Sequence, residues 1–101
     1  SQLLETQAQT KAQTAYSKYT AAQQSAEATF KKLAGLTPTD VTVQYQLGQA
    51  ATAAGDYKSA IAAYQKFLKL SPTDVDAPQV RQLLQAVKAQ AGLSAAGASS
   101  G

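Results

Sequence analysis

The chain contains no cysteine and no histidine, and these two absences remove several kinds of chemistry at once. Without histidine it lacks the commonest general base, and without cysteine it lacks a thiol nucleophile and the usual zinc ligands. The six carboxylates are scattered along 101 residues, and only Asp74 and Asp76 are near neighbours. We therefore expect no enzyme activity, no metal site and no cofactor.

Charge and long apolar runs are also scarce. Charged residues make up 15% of the chain, below the ~25% of typical soluble domains. The net charge of +3 is spread thinly and no glycine-rich phosphate loop is present, so we expect neither nucleic acid nor a small-molecule substrate as ligand. No stretch approaches the ~20 apolar residues that a membrane span requires.

The start of the chain bears on its location. It opens on Ser1 rather than Met and shows no signal peptide, so we expect a piece of a longer protein. Low charge is common among exported proteins, and a lost N-terminal part could tether the chain to a bacterial membrane. These features favour a bacterial membrane-tethered or exported protein, with a cytoplasmic location as the alternative, and the compartment stays open.

What the sequence does contain is a repeat. The segment Leu-Thr-Pro-Thr-Asp-Val at 36–41 returns as Leu-Ser-Pro-Thr-Asp-Val at 70–75, thirty-four residues later. Each copy predicts the end of one helix and the start of the next, because proline cannot continue a helix and aspartate caps one. Between the copies, Gly55 and Asp56 predict a tight turn.

Apolar residues on both sides of that turn recur at helical spacing, which predicts helices at about 40–54 and 56–70. Joined by so short a turn, the two helices should form an antiparallel hairpin. The residues of these stripes are Val43, Leu47, Ala50, Ala51 and Ala54, then Tyr57, Ala60, Ile61, Tyr64, Phe67 and Leu68.

The hairpin resembles a tetratricopeptide repeat over residues 41–74. Two positions depart from the family pattern: Gln44 replaces a bulky apolar residue, and Ala51 replaces a frequent tyrosine. The resemblance implies an all-α fold built from stacked helical hairpins. The residues that carry it, in order and spacing, are Leu47, Gly48, Gly55, Asp56, Tyr57, Ala60, Tyr64 and Pro72.

Upstream of the repeat, no glycine or proline interrupts residues 1–34. The simplest prediction is one long helix at about 2–34, whose later half packs as the second helix of a repeat would; a break near residues 20–24 is the alternative. Its apolar stripe, expected to be core, comprises Ala12, Tyr16, Tyr19, Ala22, Ala26, Phe30 and Leu33.

Downstream, we predict a capping helix at about 74–91, which covers the open face of the repeat. Its stripe is Val80, Leu83, Leu84 and Val87. Residues 92–101, rich in Ala, Ser and Gly, are predicted to be a disordered tail. The chain is thus one all-α domain, 1–91, with a tail.

In tetratricopeptide arrays the first helices of successive repeats line a concave groove that binds peptides. The resemblance places Thr42, Tyr45, Gln49 and Thr52 in that groove, which could also run past Lys11 and Lys18. The alternative is that these residues are the solvated face of an ordinary helix. Tyr45 either anchors a partner or packs against Tyr16 or Tyr19 of the long helix.

We expect one of two functions, the first from the resemblance and the second from the long first helix. The first is a non-enzymatic scaffold or adaptor module that binds a segment of another protein, whose identity the sequence does not give. The second is self-association, or a spacer role, in which the long N-terminal helix forms a homo-oligomer.

Overall fold

The computed structural model describes residues 1–100, with side chains described for residues 1–94. Over this part of the chain it contains four helices and no strand: α1 (Gln2–Leu36), α2 (Val41–Ala53), α3 (Tyr57–Leu70) and α4 (Ala77–Ser100). α2 and α3 form the central hairpin, α1 packs against α2, and α4 packs against α3. The predicted all-α fold, with a helical hairpin between a long first helix and a last helix, is confirmed.

The two central helices begin at aspartate caps. The carboxylates of Asp40 and Asp56 accept hydrogen bonds from backbone amides two or three residues further on, at 3.0 to 3.3 Å. These bonds satisfy amides that have no partner inside the helix. Gly55 has a φ of 77°, a left-handed conformation that side chains disfavour. The cap and the glycine together set the turn between α2 and α3.

Small residues bring α2 and α3 close together. Ala51 and Ala60 are fully buried, and the Tyr64 side chain is 1% exposed. A methyl group built on Gly48 would lie 2.6 Å from Cζ of Tyr64, far inside contact distance. The tyrosine ring of α3 therefore lies directly on the backbone of α2, and glycine is needed there for space rather than for flexibility.

α4 covers the far side of the hairpin as predicted for a capping helix. Val80 and Val87 are buried in one cluster with Phe67, and Leu83 and Leu84 pack against it half-buried. The predicted apolar stripe of this helix is thus the one that faces the core.

The bounds of α4 differ from the prediction at both ends. The helix begins at Ala77 rather than near residue 74, because the Asp74 carboxylate accepts the Asp76 amide at 2.8 Å in an additional turn. It continues to Ser100, where a disordered tail was expected from residue 92. This last segment contains no proline that would end the helix. Gly101 lies outside the described residues.

α1 is one uninterrupted helix, without a break at residues 20–24. The prediction that Tyr16 and Tyr19 are core residues is wrong: they are 72% and 59% exposed. At 1.5 Å per residue, α1 is roughly 52 Å long and α2 roughly 20 Å, so α2 covers only the second half of α1. The face of α1 that is buried or half-buried there is Thr20, Gln23, Ala26, Glu27, Phe30 and Ala34.

Replacing Gly48 with alanine should lower the free energy of unfolding by about 1–3 kcal/mol, because the added methyl overpacks the contact with the buried Tyr64 ring. Urea denaturation followed by circular dichroism measures this change. The matched control is Gly35→Ala: a methyl at Gly35 meets nothing within 4 Å, and the substitution should stabilise α1 by up to about 1 kcal/mol. Equal stability of the two variants would contradict the packing role of Gly48.

Candidate partner-binding surface

The four α2 residues expected in the groove lie along one side of that helix, at steps of three and four. Thr42 and Gln49 are exposed, whereas Tyr45 and Thr52 are half-buried. The hydroxyl of Thr52 donates to the carbonyl oxygen of Gly48 at 2.7 Å. We call the surface formed by Thr42, Tyr45, Gln49 and Thr52 the α2 face.

Tyr45 is held in place by the hairpin and not by α1. Its ring centre lies 6.3 Å from that of Tyr64 and 6.3 Å from that of Phe67, with the planes tilted by 58° in both pairs. This is a favourable range for aromatic packing. The expected alternative partners, Tyr16 and Tyr19, are therefore not the ones that it contacts.

The hydroxyl group of Tyr45 stays on the surface side of this aromatic cluster. It accepts a hydrogen bond from the side-chain amide of Gln49 at 3.3 Å. The phenol and the amide retain further donor and acceptor positions for a ligand. The α2 face thus offers a rigid aromatic ring with a polar edge.

One end of the α2 face opens into a cavity of about 200 Å³ beside α1. Tyr16, Tyr19 and Gln23 of α1 line one side, and Thr52 and Tyr57 line the other. The tyrosines expected in the core are thus brought next to the α2 face, as wall residues of a cleft. No sequence pattern places Gln23 there, because its position depends on how α1 crosses the hairpin.

Lys11 and Lys18 lie on the first half of α1, where every side chain from residue 1 to residue 19 is exposed. Lys18 precedes Tyr19 of the cavity wall. Lys11 lies about 14 Å along the helix from Thr20, the first half-buried residue of α1. The structure therefore does not bring Lys11 against the hairpin.

A charge network fixes the second half of α1 to the hairpin. The Lys31 ammonium lies 3.0 Å from the Asp56 carboxylate of the α3 cap and 3.5 Å from the Glu27 carboxylate. The sequence indicates only the local pair between Glu27 and Lys31, four residues apart. The link to Asp56 spans 25 residues, and only the packing of α1 reveals it.

The two carboxyl groups of this network have opposite pKa shifts. Burial raises the pKa of Glu27 above its ordinary value of 4.5, and the neighbouring Asp56 adds to that shift against the opposing effect of Lys31. A hydrogen bond with Glu27 holds the pKa of Asp56 well below its usual range, with help from Ser59 and Lys31 and against the effect of burial. The Oε2 atom of Glu27 is buried and makes no hydrogen bond, although it lies 3.5 Å from the Lys31 ammonium as an ion pair.

The comparisons with known proteins agree with this hairpin. Residues 41–74 match the family model of the tetratricopeptide repeat. They comprise α2, α3 and the turn that follows, so the match covers the hairpin that lies between α1 and α4. The comparison with curated proteins gave no match, and the comparison with solved structures gave none either.

Among the described residues, no three His, Cys, Asp or Glu side chains lie close enough together to hold a metal ion. None of the helices combines the length and the apolar character that crossing a bilayer demands.

The variant Glu27→Gln should become less stable relative to the wild type as the pH falls from neutral toward 4.5. A carboxyl group with a raised pKa in the folded state adds stability that is complete below the unfolded pKa and is lost as the pH rises through the folded value. Urea denaturation of both proteins across this pH range measures the difference. A difference that grows toward high pH instead would contradict the raised pKa of Glu27.

Proposed function

We propose that this chain is a non-enzymatic scaffold or adaptor module that binds a segment of another protein at the α2 face. Tetratricopeptide repeats generally serve as protein-binding modules, and the match at residues 41–74 supports that coarser assignment. The observation that supports this particular face is Tyr45, whose ring is fixed by Tyr64 and Phe67 while its hydroxyl remains available.

A fixed aromatic ring suits a binding surface for an energetic reason. Aromatic side chains that are already ordered lose little conformational freedom when a partner docks, and they are frequent among residues that dominate binding energy. Thr42 and Gln49 flank Tyr45 and are exposed. Together they provide polar contacts around an apolar centre, as in typical protein interfaces.

A photo-reactive amino acid at position 49 should cross-link a partner protein in cells of the source organism, while the same amino acid at position 90 should not. Gln90 is the control because it is also exposed but lies on α4. Mass spectrometry identifies the captured protein. Gln49→Arg should then weaken its binding at least about tenfold, or ~1.4 kcal/mol, with Gln90→Arg unchanged. Equal cross-linking at both positions would refute the α2 face as the site.

Self-association through α1 is the second proposal, and it is favoured by a specific observation. Every side chain of residues 1–19 is exposed, and Leu3, Leu4, Tyr16 and Tyr19 are all more than half exposed. Exposed apolar side chains along a helix are a common means of pairing with another helix. In this proposal residues 1–19 of α1 pair with the same segment of a second copy. Helices α2 to α4 of the two copies then lie at the two ends of the paired segment.

Sedimentation equilibrium of the whole chain over a concentration series tests self-association. If α1 pairs with α1, the mass should approach twice 10.5 kDa at high concentration, and Leu4→Ser with Tyr16→Ser should shift dimerisation to at least about tenfold higher concentration. Thr10→Ser, on the same exposed segment, is the conservative control. A monomer at every concentration would exclude this function and leave the α2 face as the proposal.

A further inference from the structure

A groove separate from the α2 face lies between α1 and α3. It has a volume of about 350 Å³, at the lower end of the ~300–1,000 Å³ of ligand pockets, so it suits one bulky side chain. Half of its lining residues are small, namely Ala34 and Gly35 on α1 and Ser59, Ala62 and Ala63 on α3; the larger ones include Leu47 and Lys66. We call it the α1–α3 groove.

A buried amide lines this groove. Gln44 of α2 is 3% exposed. Its Nε2 lies 3.5 Å from the carbonyl oxygen of Pro38, at the outer limit of a hydrogen bond. A side-chain amide has two donor hydrogens and a carbonyl oxygen. Gln44 therefore has hydrogen-bonding capacity left for the polar tip of a side chain placed in the groove.

Apart from the network of Lys31, Glu27 and Asp56, the charges around the groove are positive. The stretches 28–36 of α1 and 57–70 of α3 contain five lysines and no acidic residue. Lys31 is balanced by Glu27 and Asp56, which leaves Lys66 as the cation in the groove wall. Asp40, at the start of α2, is occupied with capping that helix.

The positive surface extends past the mouth of the groove along α3. A shallow depression of about 620 Å³ shares Lys66 with the groove and is also lined by Gln65, Lys69 and Leu70. A peptide with one side chain in the groove would lay its neighbouring residues over these lysines. Acidic residues at those positions would meet complementary charge.

We propose that the α1–α3 groove binds an acidic segment of another protein and takes up one tyrosine side chain from it. The small residues accommodate the ring, the amide of Gln44 pairs with the phenol, and Lys66 and Lys69 contact the flanking carboxylates. The groove is built from α1 and α3, with α2 at its base, so this site does not depend on whether the α2 face binds a partner.

The test is a titration of the ¹⁵N-labelled chain with a blocked peptide, Gly-Asp-Glu-Tyr-Glu-Asp-Gly, followed by amide chemical shifts. We expect the largest shifts at Gly35, Ala62 and Ala63. Three peptides serve as controls, with serine for tyrosine, phenylalanine for tyrosine, or lysine for the acidic residues. We expect the serine and lysine peptides to bind at least about tenfold more weakly, and the phenylalanine peptide to bind about threefold more weakly.

Variants locate the site. Ala62 lines the groove but is itself exposed, so Ala62→Leu should fill the groove without disturbing the core and weaken binding at least about fivefold. Ala28→Leu, on an exposed part of α1 away from the groove, should have no effect. Lys66→Glu should also weaken binding, and Lys88→Glu on α4 should not. In Gln44→Leu the preference for tyrosine over phenylalanine should disappear.

Two results would overturn the proposal. The first is the absence of any shift up to about 1 mM peptide, which corresponds to a binding free energy weaker than ~4 kcal/mol. The second is a set of shifts confined to residues 42–52, with binding lost in Gln49→Arg and kept in Ala62→Leu. That result would place the acidic peptide on the α2 face, so the groove would be refuted while the proposed function stood.

Discussion

The contact between Gly48 and Tyr64 is the constraint on which the rest of the structure depends. Because α2 has no side chain at this point, the Tyr64 ring lies on its backbone and is almost completely buried. Burial also raises the pKa of Tyr64, with a smaller opposing effect from Thr52. The ring then forms one side of the aromatic cluster that holds Tyr45. The contact between Gly48 and Tyr64 therefore also fixes the position of Tyr45 on the α2 face.

The two departures from the repeat pattern have different consequences. Ala51, where tyrosine is frequent, is fully buried in the core beside Ala60 and Tyr64, so the loss of a ring there is absorbed by close packing. Gln44, where a bulky apolar residue is frequent, lines an open groove instead of filling it. The first departure is compensated by packing, whereas the second leaves an open space and an amide that makes only one long hydrogen bond, to the Pro38 carbonyl.

The two halves of α1 differ in how they pack against the rest of the molecule. The second half behaves as part of the repeat, since Phe30 and Ala34 pack with Val43 and Leu47 and Lys31 reaches the α3 cap. The first half begins at the Ser1 cap, and its side chains from residue 1 to residue 19 are all exposed. It extends the molecule to 59 Å in its longest dimension and places Tyr16 and Tyr19 beside the α2 face.

The sequence by itself determined the features that depend on local rules. Proline and aspartate at 34-residue spacing, with Gly55 between the two copies, mark the ends of α2 and α3, and helical periodicity marks the core faces of α2, α3 and α4. It misassigned the buried face of α1 by about one residue, since an alanine-rich helix with few large side chains has apolar stripes in several directions.

Only the tertiary structure decided what surrounds each surface residue. The neighbours of Tyr45, the link from Lys31 to Asp56 and the groove beside Gln44 all join residues from different helices. Periodicity states which side of a helix faces inward, but it carries no information about where along its length a neighbouring helix crosses. That crossing is set by the packing of the side chains at the contact, and here it decides both candidate binding sites.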